Sequence, residues 1–169
     1  MTVKRLTGAA AVAAGALVVG AVFGQAGNGR AGNSPPTPNP CPAGSGTIKV
    51  ADLQPPARLM IEPRGVTPAP VTPAANSIQL HFLVTACNGR PVQGASVFAV
   101  SIPYNQFQGE QATTGADGTV TVTESQLSGF PASQRQELLA VLARATKPGE
   151  PILGGISTRR TVSFPVSLG

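Results

Sequence analysis

Over residues 77–123 apolar and polar side chains alternate with a period of two, broken by short clusters of Gly, Asn and Asp. Ile78, Leu80, Phe82, Val84 and Ala86 alternate with Gln79, His81, Leu83 and Thr85, which predicts a strand with one buried face. Cys87-Asn88-Gly89-Arg90-Pro91 then predicts a tight hairpin turn: Asn and Gly tolerate positive φ, and Pro91 resets the direction of the chain. Residues 95–102 predict a second strand, with Val97 and Ala99 on one face and Phe98, Val100 and Ile102 on the other, apolar on both sides. Residues 103–109 loop out and 111–114 return. Gly115-Ala116-Asp117-Gly118 then turns into residues 119–123, whose Val120 and Val122 point inward between threonines.

Upstream, residues 47–50 and 58–62 predict two short edge strands, with Pro55-Pro56, Pro63 and Gly65 as breaks. Residues 66–73, VTPAPVTP, have too many prolines for regular ladder bonding and are expected to cross the surface as a loop. Residues 133–146 carry two patterns. Ser133 with Gln136 forms a passable capping box, and Leu138, Leu139, Leu142 and Ala145 fall at helical spacing. Against a helix, Lys147-Pro148-Gly149 marks a turn before a strand-like run at 156–166, in which Val162 and Phe164 alternate with polar residues.

Composition supports strands and turns. Charged residues are 11% of the chain, against roughly 25% in an average soluble protein, while 20 Gly and 17 Pro supply turns. Residues 1–26 combine a basic start (Lys4, Arg5), an apolar stretch of mostly Ala and Gly, and small residues at Gly24 and Ala26. They predict a cleaved signal peptide, with an uncleaved membrane anchor as the alternative. Residues 27–46, rich in Gly, Pro and Asn, predict a disordered linker, which leaves residues 47–169 as one domain outside the cytoplasm.

Without the leader the net charge is +3, from ten basic and seven acidic residues, and the only adjacent basic pair is Arg159-Arg160. With no Trp and one Tyr, the chain lacks the basic stripe and stacking rings of a nucleic-acid reader. Alternate strand residues point to opposite faces, so Arg159 and Arg160 cannot grip one ligand together, and they read as a solvated edge.

Two cysteines, Cys41 and Cys87, in an exported chain predict a single disulfide. The lone histidine, His81, has no evident acid or nucleophile beside it, and with two cysteines it makes no convincing zinc set. Asp117-Gly118 lacks the further acids of a calcium loop and reads as a turn. No catalytic, metal-binding or cofactor-binding residue is expected.

Gly89-Arg90-Pro91-Val92-Gln93-Gly94-Ala95-Ser96-Val97, followed by Thr114-Gly115-Ala116-Asp117-Gly118-Thr119-Val120, resembles the turn and core pattern of bacterial immunoglobulin-like and carboxypeptidase regulatory-like (transthyretin-like) domains. The resemblance implies an all-β sandwich of about seven strands. Gly89, Gly94 and Gly118 would be turn glycines, Pro91 would start the family's turn, and Val92, Ala95, Val97 and Val120 would be core. It favours a strand hairpin for residues 133–166. The expected function is a structural or adhesion module at the cell surface, with an unknown protein or an envelope polysaccharide as partner, and with membrane attachment only if the leader stays. The alternative is a carbohydrate- or envelope-binding accessory domain. For either, Tyr104 beside Phe107 is the candidate ligand contact, because sugar-binding sandwiches stack rings on exposed aromatics.

Overall fold

The sequence pattern is met by an all-β architecture in a computed structural model that describes residues 39–151 and 154–169. The expectations for the leader, and for the linker up to residue 38, lie outside the described residues. Nine strands are described: β1 (Ile48–Lys49), β2 (Met60–Thr67), β3 (Ser77–Ala86), β4 (Arg90–Gln93), β5 (Ser96–Ile102), β6 (Glu110–Thr113), β7 (Thr119–Ser125), β8 (Leu138–Thr146) and β9 (Thr158–Pro165). The count exceeds the expected seven; β1 falls within the strand expected at residues 47–50, whereas the residues of β4 are expected only as turn and core positions. β1 pairs in parallel with β4, and β4 returns from β3 through only two paired positions.

β3 organises the first sheet. β2 runs antiparallel along one side of it, while β7 and β4 share the other, β7 against residues 77–83 and β4 against 85–86. The second sheet has the order β6-β5-β8-β9. The inward faces meet as a single core: Ile78, Leu80, Phe82 and Val84 from β3 face a second sheet that buries Val97, Ala99, Leu139, Val141, Ala143 and Ala145. Each large aliphatic or aromatic side chain buried there contributes on the order of 1.5–3 kcal/mol. The two sheets are also sewn together along their borders. Leu59 N donates to Ile156 O and Val71 N to Pro165 O on the β2–β9 side, and Gln108 N donates to Ser125 O on the β6–β7 side.

Several local expectations are corrected. Pro63 and Gly65 do not end a strand: β2 continues to Thr67 with its register shifted between them. As an edge strand it can carry a proline without losing a ladder bond, and a bulge absorbs the extra residue. The Pro-rich stretch that follows is anchored rather than loose, since Val71 is fully buried and forms a parallel bridge with Val166. Pro91 lies within β4 opposite Thr85, after the turn rather than at its start. The turn itself is Cys87, Asn88 and Gly89, with φ of 47°, 65° and 81°. Residues 138–146 form a strand. Leu139, Val141, Ala143 and Ala145 are buried at a period of two, and the helical spacing noted in the sequence arises only because the outward positions are partly apolar as well.

Residues 39–46 belong to the folded body, not to a free linker. The Cys41–Cys87 disulfide joins them to the β3–β4 turn, with Cα atoms 5.8 Å apart. Arg90 holds the same segment, donating from Nε to Gly46 O at 2.8 Å and from Nη1 to Pro42 O at 2.6 Å. Disulfides persist in oxidising compartments, so the bridge points to an extracytoplasmic setting. Among the described residues no helix is long and apolar enough to cross a membrane.

Candidate functional site

Strand directions give the sandwich two distinct ends. The proximal end carries the Cys41–Cys87 bridge, the 114–118 turn and the start of β9; the distal end gathers residues 68–76, 103–109, 126–137 and 166–169.

The distal segments are locked to one another by buried groups. Pro103 starts a turn in which Gln106 N donates to Pro103 O. Gln106, only 1% exposed, donates from Nε2 to Ile102 O at 3.0 Å and accepts from Gln136 Nε2 at 2.6 Å. Ser101 Oγ, also buried, accepts from Phe107 N at 2.8 Å. Leu127 N donates to Gln106 O and Gly129 N to Asn105 O, so the 103–108 and 126–130 loops share a short ladder. Beneath it the Phe107 and Phe130 rings meet at 4.9 Å between centroids, tilted at 53°. Loops with this much internal satisfaction form a fixed surface rather than a set of independent excursions.

The fixed surface presents apolar side chains. Among the described residues, five large hydrophobic side chains are exposed: Ile102, Tyr104, Leu127 and Leu138 at the distal end and Met60 at the other. Tyr104 is the most exposed, at 65%. Beside them is a shallow polar cleft lined by Arg135, Gln136, Glu137, Val166 and Ser167.

The two residues of the expected aromatic pair are separated in role. Tyr104 faces solvent, whereas Phe107 is fully buried against Phe130 and cannot touch a ligand; it supports the loop that holds Tyr104. Leu127 and Leu138 are not legible as surface residues of this end from the sequence, where Leu138 enters only through its helical spacing, because nothing local marks residues of different segments as belonging to one end of a sandwich.

The remaining candidates resolve as follows. His81 stands on the outer face of the first sheet, its Nε2 3.1 Å from Thr67 Oγ1 and its Nδ1 3.1 Å from Thr121 Oγ1. Asp117 spends its carboxylate on Thr119, accepting from both its N–H and its hydroxyl, and these bonds hold its pKa below the usual value. Among the described residues no cluster of His, Cys, Asp and Glu could hold a metal ion. Arg159 and Arg160 are both exposed, and Arg160 Nη1 reaches Ile61 O at 3.4 Å across the border between the sheets.

One group stands outside every expectation. Glu124 continues the inward row of Val120 and Val122, is fully buried, and has no hydrogen-bond partner for either carboxylate oxygen. Burial first, and the nearby Glu110 carboxylate second, push its pKa up to about 7.

No family model matches the chain, and no curated protein and no solved structure is similar to it.

Proposed function

We propose that this chain is an exported, non-enzymatic immunoglobulin-like module that binds a protein at the cell surface through its distal end. The observation that carries this reading is the grouping of Ile102, Tyr104, Leu127 and Leu138 at the end away from the disulfide. Exposed apolar groups on a rigid, internally bonded platform favour association, and a cluster with one aromatic at its most exposed point has the make-up of a small interface centre. The turn glycines Gly89, Gly94 and Gly118 all have positive φ, and Val92, Ala95 and Val97 are fully buried, which supports the immunoglobulin-like reading at these positions though not at Pro91.

Exposed Tyr104 favours a second reading, an envelope polysaccharide stacked on that one ring. Retention of the secreted protein on peptidoglycan, on common polysaccharides and on solubilised surface proteins separates the two. Binding to a surface protein that Leu138→Ser and Tyr104→Ala both abolish supports the first reading. Retention on a glycan that depends on Tyr104 but not on Leu138 supports the second, and no retention on any matrix removes both.

A further inference from the structure

Glu124 is the least explained group in the molecule, and its neighbours in sequence hold the distal loops. Ser125 O accepts from Gln108 N, the bond that closes the β6–β7 border, and Gln126 N donates to Asn76 O while Gln126 bridges Phe107. The backbone on the C-terminal side of this buried acid therefore supplies ties from residues 103–108 and 68–76 to β7, beside those that Ser101 and Val166 make to the same segments. We propose that Glu124 is a proton-operated catch on the β6–β7 border: neutral, it lets the border and the distal loops stay closed, and ionised, it loosens them.

The surroundings leave an ionised Glu124 no compensation. On β7 its inward companions are Val120 and Val122. From β3 it is opposed by Ile78, and His81 lies on the outer face between Thr67 and Thr121. The inward residues of β5, Ala99 and Ser101, carry no charge, and residues 68–76, 103–109 and 126–131 contain no charged side chain. From β6 the charge acting on it is Glu110, of the same sign. A carboxylate buried in this way without donors is costly, and the border beside it is closed by β6, an edge strand of only four residues. Opening there hydrates Glu124 and separates it from Glu110.

As regulation of binding, this device rests on the reading of the distal end as the contact surface; as a conformational change it can be read without any partner. The test is amide hydrogen exchange of the full secreted chain between pH 5 and pH 8.5, corrected for intrinsic exchange rates. Opening that frees the acid should become about tenfold more frequent per pH unit between 4.5 and about 7, and level off above that. The expected result is protection lost over that window at residues 103–110 and 125–131, with β3, β5 and β8 still protected, and no such loss in Glu124→Gln. Should Glu124→Gln not fold, Glu110→Gln serves instead, because removing the like charge moves the midpoint to lower pH. Protection independent of pH in the wild type, loss spread evenly over all strands, the same loss in Glu124→Gln, or an unmoved midpoint in Glu110→Gln each overturns the proposal.

Discussion

Arg90 donates to the carbonyl of Pro42 at 2.6 Å, so the same strand that leaves the disulfide-bearing turn also grips the residue after Cys41. Covalent and hydrogen-bonded restraints thus act on one segment from neighbouring positions. Arg90→Ala should cost about 2 kcal/mol through the loss of two charge-assisted bonds. Removal of the bridge in Cys41→Ser/Cys87→Ser should cost about 4 kcal/mol, the loop-closure figure for a separation of 46 residues. Urea denaturation midpoints of the two variants rank the restraints; a larger loss for Arg90→Ala would reverse that order.

Gly118 sits where β4 and β7 converge beside β3. A Cβ there would lie 2.7 Å from Val84 O and 3.0 Å from both Pro91 Cβ and Val92 N, at a φ of +75°. Gly118→Ala should therefore destabilise by about 2–4 kcal/mol. Gly89 has a similar φ but open space around it, so Gly89→Ala should cost only about 1 kcal/mol. Equal losses in thermal denaturation would show that φ alone, and not the close approach, sets the requirement.

Tyr104 and Phe107 should behave oppositely. Tyr104→Ala should leave stability within about 0.5 kcal/mol of the wild type while removing retention on the partner. Phe107→Ala empties a fully buried site against Phe130 and should cost about 3–5 kcal/mol. Chemical denaturation alongside a binding assay separates them, and a stability loss in Tyr104→Ala would place that ring inside the fold's support.

Glu124 should make the whole molecule less stable as pH rises. Below about 4.5 the acid is neutral in both folded and unfolded chains and no penalty exists. Between 4.5 and about 7 the unfolded chain has released the proton while the folded chain retains it, so stability falls, by up to about 3 kcal/mol in total; above about 7 this contribution is constant. Glu124→Gln should flatten that decline in thermal melts from pH 4.5 to 8. A variant with the same slope as the wild type would assign the decline to other groups.

The strands most legible in the sequence are β3 and β7, because each keeps one face wholly inside and so imprints a period of two, whereas β5 is marked by a short apolar run between turns rather than by alternation. Residues 138–146 were ambiguous for a physical reason: Leu138 and Leu142 lie on the outward face, and their hydrophobicity fills in the intervals that would have marked a strand. The course of β2 through Pro63 depends on its having a neighbour on one side only, which is a property of the sheet and not of the local residues. Glu124 is the next inward position after Val120 and Val122, but a carboxylate is ordinarily assigned to solvent, so the alternation of threonine and valine ends for a sequence reader at Thr123. Of the exposed distal residues only Tyr104 is legible as a candidate contact, since Ile102, Leu127 and Leu138 come to the same end through topology alone.

The bridge between Cys41 and Cys87 also decides how the molecule responds to mechanical load. Tension applied from the segment before Cys41 is transmitted through sulfur directly to the turn after β3, so β1, β2 and β3 lie inside a closed ring that cannot be drawn out. In the oxidised molecule a stretch of 46 residues, on the order of 150 Å if extended, is withheld from the pull, and only the strands from β4 onward can be peeled away.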